Sequence, residues 1–417
     1  MGIIMTHTNF PHPFDQFVWS GGIENTFVPD ARPGLRSLEE YELTQHYQQW
    51  RGDFDRAASL GIKALRWGPP WYRTEPKPGE FDWEFADQAI DYLVNTLKIT
   101  PIIDLVHYGT PDWLAGGFSD PSYPERIAAY ATAFVKRYKH LVRFYTPLNE
   151  PTVTADFSGR RGEWPPYLNG DEGYVRVLLQ LARGIQRTAT AIREEQPEAI
   201  LVAVEAMRRV KRVRPKAARA ARLRILQEYL PYDLSAGRVD DRHPLRSWLL
   251  DRGASQDALE TLRQNRVEHD IFGVNFYPWS YAEVDIDNDD IVRTKDGTCG
   301  GEQLFQVLKH ASRHSGKPLM ITETSATGTL AERKRWMRQT TRAVARAQAA
   351  GIDVRGYTWY PLFTMIAWDY RTSEKPVDDH LLHLGLWDCQ FDSERVLVRS
   401  ATPMVETYRS LIQRDSM

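Results

Sequence analysis

Short apolar runs alternate with longer stretches of helical periodicity along most of the chain, and this alternation narrows the choice of fold more than any other feature. Runs of this kind predict strands that are buried on both faces, as in a parallel sheet. Eight such runs are present, which is the number that a closed barrel needs. We therefore predict a single-domain (β/α)8 TIM barrel over residues 1–417, with its core at about residues 17–412. The predicted strands are FVWSG (17–21), IKALRW (62–67), TPIIDLVH (100–107), VRFYTPLN (142–149), ILVAVEA (200–206), DIFGVNFY (270–277), PLMITE (318–323) and VRGYTWY (354–360).

The composition restricts the partners of the chain. A formal net charge of −2 over 417 residues provides no long-range field for nucleic acid or an anionic membrane. No run of about 18 apolar residues is present, and MGIIMTHTNFPHPF lacks the pattern of a signal peptide. The two cysteines, Cys299 and Cys389, do not suffice for a disulfide framework and favour a reducing compartment. We expect a cytoplasmic protein that binds neither nucleic acid nor membrane, with homo-oligomerisation left open.

The heptapeptide YTPLNEP (145–151) places an Asn–Glu pair directly after an apolar strand and directly before a proline. A glutamate at this position contributes nothing to packing. Pro151 ends the strand because it lacks a backbone donor, and we expect it to hold Glu150 in extended geometry. The sequence therefore predicts that Glu150 is presented at the strand end, facing whatever lies beyond the sheet.

Polar side chains occur at the ends of five predicted strands, where the active sites of (β/α)8 barrels lie. A structural ion pair accounts for one glutamate at such a position, but not for so many polar groups at one mouth. Two carboxyl groups facing each other there are the arrangement that a paired-carboxylate mechanism requires. The residues are Arg66 on the second strand, His107 on the third, Asn149 and Glu150 on the fourth, Asn275 and Tyr277 on the sixth, and Glu323 on the seventh.

Six motifs follow one another in order between about residue 17 and residue 412. YTPLNEP resembles TFNEP, ITETS (321–325) resembles ITENG, and RWGPPWYR (66–73) matches RFSISWSR in register. VHYGTPDWL (106–114) matches the HWDLPQWL type, DIFGVNFY resembles DFIGINYY, and GLWDCQFDSERVLVRSATPMVETY resembles GLVYVD…KKSA…Y. Each motif is weak by itself, but together they resemble glycoside hydrolase family 1. This family comprises retaining β-glycosidases with catalytic glutamates on strands four and seven.

The resemblance implies that Glu323 is the nucleophile and Glu150 the acid/base of a retaining exo-β-glycosidase. Glu323 would be ionised, helped by Arg66 and by a hydrogen bond from Tyr277. Glu150 would be protonated at rest, because burial and the neighbouring carboxylate raise its pKa. After the glycosyl-enzyme forms, Glu150 would act as the base that activates water.

The resemblance also implies substrate-binding roles. Asn149 would bind the sugar 2-hydroxyl, a contact that strengthens in the transition state, and His107 would contact a neighbouring hydroxyl. Asn275, at the end of strand six, is predicted to lie with Tyr277 in the same site. The loop DFSGRRGEWPPYLNG (156–170), which follows Glu150, is expected to shape the leaving-group side through Trp164 and Tyr167.

The motifs whose residues contact the glycone in this family are altered in this sequence. The family's first-strand glutamine is absent from FVWSGGIENTF, and Glu24 is the nearest substitute, which we expect the adjoining glycines to turn into the barrel mouth. The family's WSLLDNFEW corresponds to YPLFTMIAW, in which Tyr360 replaces a platform tryptophan and Ala367 replaces a glutamate that grips outer glycone hydroxyls. Trp368 is retained. A small shift of Asp369 is predicted to restore the missing carboxylate.

Three other functions remain compatible with the sequence. A 6-phospho-β-glycosidase also lacks the outer glutamate, and RTSEK offers Arg371, Ser373 and Lys375 for a phosphate, although their spacing does not match that family's phosphate grip. A transglycosylase uses the same chemistry, and the altered glycone side fits a non-catalytic sugar-binding barrel. Neither a cofactor nor a metal is expected, because no close ligand spacing such as HExxH is present.

Two runs of charged residues are not assigned a role in the glycosidase mechanism. Residues 208–224 (RRVKRVRPKAARAARLR) contain nine Lys or Arg, and we interpret them as a solvated helix face, with an anionic substrate or partner as the alternative. Residues 285–297 (DIDNDDIVRTKDG) are similar to a calcium loop, but Asp290 stands where a glycine is needed. An acidic hairpin is therefore predicted for this run.

Overall fold

The computed structural model describes residue 14 and residues 16–29, 32–289 and 291–415. Its centre is a closed parallel barrel of eight strands in sequential order, which confirms the predicted fold. The barrel closes where β1 pairs with β2 through Ser20 and Ala64, and with β8 through Val18 and Gly356. The strands are β1 (Val18–Gly22), β2 (Ala64–Trp67), β3 (Thr100–Asp104), β4 (Phe144–Thr146), β5 (Ile200–Ala206), β6 (Ile271–Asn275), β7 (Leu319–Thr324) and β8 (Val354–Trp359).

The barrel strands are covered on both faces. Every residue of β2, β6 and β7 is buried. Apolar and polar residues therefore do not alternate along these strands, as they would in a sheet with one exposed face. Inside the barrel, a small cluster includes Phe14, Ile102, Phe144, Val202 and Met320. A larger core packs the outer face of the barrel against the helices. This packing leaves the carboxyl ends of the strands as the place where polar side chains converge.

The stretches of helical periodicity between the strands form helices. The helix Leu330–Ala349 is followed by Gly351, which has the positive φ of 79° that favours glycine after a helix. The α-helices are Glu40–Leu43, His46–Ser59, Trp71–Thr74, Glu84–Asp91, Tyr123–Tyr138, Pro151–Ala155, Gly170–Glu195, Ala218–Ser235, Arg246–Leu250, Gln256–Gln264, Gly301–Ser315, Leu330–Ala349 and Pro403–Asp415. Single turns of π- or 3₁₀-helix are Tyr92–Thr96, Gly117–Ser119, Asp156–Arg160, Pro215–Ala217, Trp368–Thr372 and Val377–His380.

The two charged runs lie together in a small sheet beside the barrel mouth. Tyr281–Ile286 and Val292–Gly297 form the predicted acidic hairpin, although Asp290 lies outside the described residues. Arg209–Arg212 pairs with Tyr281–Ile286 in parallel. The prediction of one helix face for residues 208–224 is therefore wrong in its first half, because residues 209–212 pair as a strand with the hairpin. Other short pairs are Phe27–Val28 with Leu38–Glu39, Met365–Ile366 with Leu381–Leu382, and Trp387–Phe391 with Leu397–Ala401.

Within the described ranges, none of the helices combines the length and the apolar character that crossing a membrane requires. The same ranges contain no group of three or more His, Cys, Asp or Glu side chains placed to hold a metal ion. Residues 1–13, which include most of the segment in which no signal peptide is expected, are not among the described residues.

Candidate active site

A cavity of about 450 Å³ opens at the carboxyl ends of the barrel strands. Its wall carries both predicted catalytic glutamates. Several of the other predicted site residues line it as well, each shortly after the end of a strand. These lining residues include Glu24 after β1, His107 after β3, Glu150 after β4, Asn275 and Tyr277 at the end of β6, Glu323 in β7, and Trp368 after β8.

Glu323 is held by two donors, one on β2 and one just after β6. The Arg66 guanidinium donates through Nη1 to Oε1 of Glu323, and the Tyr277 hydroxyl donates to Oε2 at 2.6 Å. Arg66 is fully buried and also bonds the Asp104 carboxylate through Nε at 3.1 Å. A buried guanidinium paired with two carboxylates fixes the position of Glu323 and favours its ionised form.

Glu150 occupies an unusual backbone position. Its φ of 42° and ψ of 62° lie in the left-handed region, so the prediction of extended geometry before Pro151 is wrong. Glu150 instead precedes a short helix that begins at Pro151, and its own backbone N–H donates to the Val204 carbonyl at 3.1 Å. A non-glycine residue in this region is strained, and such strain is characteristic of functional sites.

The Glu150 carboxyl also has two donors. The Tyr108 hydroxyl donates to Oε2, and the Asn275 amide donates through Nδ2 to Oε1 at 2.7 Å. The Asn275 side chain is oriented in turn by Thr322, whose hydroxyl donates to Oδ1 at 2.6 Å. Because Asn275 pairs with Glu323 in the register of β6 and β7, this residue connects the surroundings of the two glutamates.

Burial dominates the electrostatics of this pair of carboxyl groups. It raises the pKa of Glu323 to about 7; the Arg66 charge opposes the rise and the Glu150 charge adds to it. Burial also raises the pKa of Glu150, against the donors Tyr108 and Asn275. Both carboxyl groups therefore bind protons at higher pH than exposed glutamates do. Such a pair can hold one proton near neutral pH, as the combination of one base and one acid requires.

Asn149 and His107 continue the network on the side of Arg66. Arg66 donates through Nη2 to Oδ1 of Asn149 at 2.6 Å, and Nδ2 of Asn149 lies 2.9 Å from Nε2 of His107. Burial lowers the pKa of His107, but the Asp104 and Glu24 carboxylates outweigh burial and the net shift is upward. The His107 ring is thus held between polar partners at the edge of the cavity.

Glu24 lies in the wall of the cavity at the barrel mouth. Its Oε1 accepts from the backbone N–H and the hydroxyl of Thr26, at 3.0 and 2.6 Å, and lies 3.6 Å from Nε2 of His107. The prediction that glycine flexibility turns Glu24 inward is wrong, because neither Gly21 nor Gly22 has a positive φ. A Cβ at Gly22 would instead lie 2.1 Å from the Tyr360 ring, so the position requires close packing.

Besides the fully buried Arg66 and Asn149, three of the predicted contacts do not line the cavity. Asp369 is exposed and bonds His380 at 3.0 Å, so the expected shift that would restore the lost carboxylate does not occur. Tyr360 is buried behind the wall, with its ring 5.1 Å from the Arg66 guanidinium. Trp164 is buried behind Trp368, with ring centroids 5.1 Å apart. These residues support the wall, whereas Trp368 itself lines the cavity.

Sequence reasoning missed several wall residues. Tyr108, which donates to Glu150, directly follows the predicted strand end at His107, and its positive φ of 76° could not be read from the sequence. Trp279 is 47% exposed and stacks on Tyr277 at 4.8 Å, and its place two residues beyond the predicted strand was the only signal for it. One part of the wall is apolar and includes Ala367, which stands where the family has a glutamate. It is formed by Pro361, Met365, Ala367, Leu382 and Leu384.

Comparison with known proteins finds similarity to one family of glycosidases. The model of glycosyl hydrolase family 1 matches residues 39–225. The chain is 24% identical over 397 residues to beta-glucosidase 47 of Arabidopsis thaliana, covering 84% of this chain and 72% of the relative. It is 24% identical over 379 residues to a bifunctional beta-D-glucosidase/beta-D-fucosidase of Bifidobacterium breve, covering 79% of this chain and 81% of the relative.

The barrel is also similar to that of a beta-glucosidase from Thermotoga maritima solved in complex with glucoimidazole. The TM-score is 0.84 at 18% identity, over 96% of this chain and 98% of the other, which establishes the shared fold. The range that the family model matches includes the motif that contains Glu150. The chain is therefore similar to glycosyl hydrolase family 1 along most of its length and is a glycoside hydrolase.

Proposed function

We propose that the protein is a retaining exo-β-glycosidase that works by double displacement, with Glu323 as nucleophile and Glu150 as acid/base. One observation carries this proposal: two buried carboxyl groups face the same cavity, and each is held by its own pair of donors. Only Glu323 is paired with a guanidinium, so Glu323 is the better anion and Glu150 the better proton donor.

In the first step, a carboxylate oxygen of Glu323 attacks the anomeric carbon while Glu150 gives its proton to the departing glycosidic oxygen. The bond to the leaving group breaks and a glycosyl ester forms on Glu323. Loss of the Glu323 charge lowers the proton affinity of Glu150, which then removes a proton from the attacking water. The water oxygen bonds to the anomeric carbon, and the ester bond to Glu323 breaks and restores its carboxylate. Arg66 and Tyr277 hold the nucleophile, and we assign Asn149 and His107 to glycone hydroxyls.

The phosphoglycosidase alternative has little support from the site. Arg371 donates through Nη1 to the backbone carbonyls of Val28, Pro29 and Arg36, away from the cavity. Lys375 is exposed, and its backbone N–H donates to Ser373. None of the three residues proposed for a phosphate lines the cavity that carries the glutamates. We therefore expect substrates without a 6-phosphate.

A panel of nitrophenyl β-glycosides, with and without a 6-phosphate, tests the proposal. We expect release of nitrophenol from at least one unphosphorylated glycoside, and faster release from it than from its 6-phosphorylated counterpart. Product analysis separates hydrolysis from transfer to a second sugar. A folded protein that binds these glycosides and cleaves none of them is a sugar-binding barrel, and the proposal then fails.

The pH profile of kcat/KM should be bell-shaped. Activity needs Glu323 ionised and Glu150 protonated. It should fall as pH decreases through the pKa of Glu323, which burial raises to about 7, and as pH increases through that of Glu150. Tyr277→Phe removes a donor to the Glu323 carboxylate and should move the acidic limb to higher pH.

Tyr281→Phe is the matched control for this profile, because its hydroxyl donates to Glu283, which does not line the cavity. An acidic limb in the range of an ordinary exposed glutamate, or one that Tyr277→Phe leaves in place, contradicts the assignment. Chelators should leave the profile unchanged. Loss of activity in EDTA that a divalent ion restores indicates a metal-dependent enzyme instead.

Glu24→Gln should change the ratio of rates among glycones. A buried hydroxyl that loses a charged partner forfeits roughly 1.5–3 kcal/mol, or about one to two powers of ten in specificity. The wall around Ala367 is apolar and offers no carboxylate to the glycone. We therefore propose that Glu24 binds the hydroxyls of the outer part of the glycone. Plain β-glucosides should be poor substrates unless Glu24 binds their hydroxyls. An equal effect of Glu24→Gln on all glycones refutes this role.

A further inference from the structure

A second cavity, of about 180 Å³, adjoins the active-site cavity, and Arg208 and Glu228 line both. It lies between the strand Arg209–Arg212 and the helices Ala218–Ser235 and Gly301–Ser315. Its volume is that of several water molecules, at about 30 Å³ each, which is enough for a phosphate-sized group. The proposed mechanism makes no use of this cavity.

The charged groups around the second cavity are mostly cationic. Arg209, Lys309 and Arg313 line it, and none of them forms an ion pair within the described part of the chain. Arg209 bonds a backbone carbonyl, that of Val210, at 2.8 Å. Like charges that converge without counterions repel one another, and an anion bound between them would relieve that repulsion.

Glu228 is the one carboxyl group among the residues that line this cavity. It is buried, its Oε1 accepts no hydrogen bond from the described residues, and Nη2 of Arg224 lies 3.7 Å from that atom. Burial raises the pKa of Glu228, which weakens the negative charge that it contributes. The Glu228 side chain therefore balances the surrounding cations only in part.

The second cavity adjoins the leaving-group side of the active site. Arg208 and Trp279 follow β5 and β6, and Arg161 follows Glu150, so these side chains line the part of the cavity on the same side as the proton donor. Glu24 and His107, which we assign to the glycone, follow β1 and β3 on the opposite side. Arg208 is anchored by Asp296 and by the Tyr281 carbonyl at 3.2 Å, at the junction of the two cavities.

We propose that the second cavity binds a phosphate or sulfate group carried by the leaving group of the substrate. The departing portion extends from Glu150 past Trp279 to Arg208, and its oxyanion is held by Arg209, Lys309 and Arg313. Guanidinium and ammonium groups form charge-assisted hydrogen bonds with such oxyanions. This inference rests on the proposed glycosidase function and assigns the chemical class of its leaving group.

The kinetic test uses two phenyl β-glycosides of an active glycone, one with a para-phosphonomethyl group and one with a para-methyl group. We expect kcat/KM to favour the phosphonate by about tenfold or more, the effect of roughly one charge-assisted contact. The triple variant Arg209→Gln/Lys309→Gln/Arg313→Gln should lose this preference and keep its rate on the methyl substrate. The matched control is Arg335→Gln/Arg338→Gln/Arg342→Gln, which removes the same charge from an exposed helix face elsewhere.

A binding test does not depend on turnover. Calorimetric titration with phenyl phosphate and with inorganic phosphate, at constant ionic strength, should show saturable binding that the cavity variant loses and the control keeps. Absence of binding to the wild-type protein overturns the proposal. Binding of inorganic phosphate without a kinetic preference overturns the leaving-group assignment and identifies a site for a free anion. If neither glycoside is cleaved, the proposed function fails, and the titration alone decides whether the anion site exists.

Discussion

Glu323→Gly is expected to abolish the turnover of every β-glycoside, by about 10⁵-fold, because no other group in the site can form the covalent intermediate. The loss should be the same for substrates with good and poor leaving groups. Steady-state rates on a series of aryl glycosides measure it. Arg66 keeps its ion pair with Asp104 in this variant, so the buried guanidinium is not left without a counterion.

Glu323→Gln is the matched variant that retains the shape and hydrogen-bonding capacity of the side chain. It should be as inactive as Glu323→Gly and should unfold at a temperature close to that of the wild type. Glu302→Gln, on an exposed part of the helix Gly301–Ser315, controls for the loss of one carboxylate. Activity of Glu323→Gln within about tenfold of the wild type is incompatible with a nucleophilic role for Glu323.

Glu150→Ala should discriminate among leaving groups. Dinitrophenyl glycosides need no proton in the first step, so formation of the glycosyl-enzyme should continue at a rate near that of the wild type. Poor leaving groups need general acid catalysis and should react about 10²–10⁴-fold more slowly. The second step lacks its base, and the glycosyl-enzyme should accumulate as a burst of released dinitrophenol followed by slow turnover.

Azide should restore turnover of the Glu150→Ala variant, because this small anion fits the space of the lost carboxyl and attacks without a base. The product should be a β-glycosyl azide. The two roles are reversed if azide yields a β-glycosyl azide with the Glu323 variant and an α-glycosyl azide with the Glu150 variant. Failure of azide to accelerate either variant argues against a covalent intermediate.

The eight barrel strands could be predicted because they are buried on both faces and appear in the sequence as uninterrupted apolar runs. The polar groups at the strand ends could be predicted for the same reason, since Arg66, Glu150 and Glu323 interrupt those runs. Regular strand geometry then brings such residues to one mouth. This part of the site follows from the periodicity of the chain.

The remaining parts depend on backbone geometry that follows the strands. The left-handed conformation of Glu150, and that of Tyr108, which places its hydroxyl on Glu150, cannot be read from residue types. Asp369 lies next to retained Trp368 in sequence, yet its side chain is exposed and bonds His380. Residues 209–212 are rich in Arg and Lys, as a solvated helix face is, but pair as a strand because the acidic hairpin lies alongside.

The stereochemistry of the first-formed product tests double displacement most directly. Glu150 follows β4 and Glu323 lies in β7 of one barrel. A retaining mechanism requires their carboxyl groups to be about 5 Å apart, too close for a water nucleophile between them. Proton NMR during the first minutes of hydrolysis, before mutarotation, distinguishes the two anomers. We expect the β-anomer of the free sugar to appear first, and first appearance of the α-anomer would contradict double displacement.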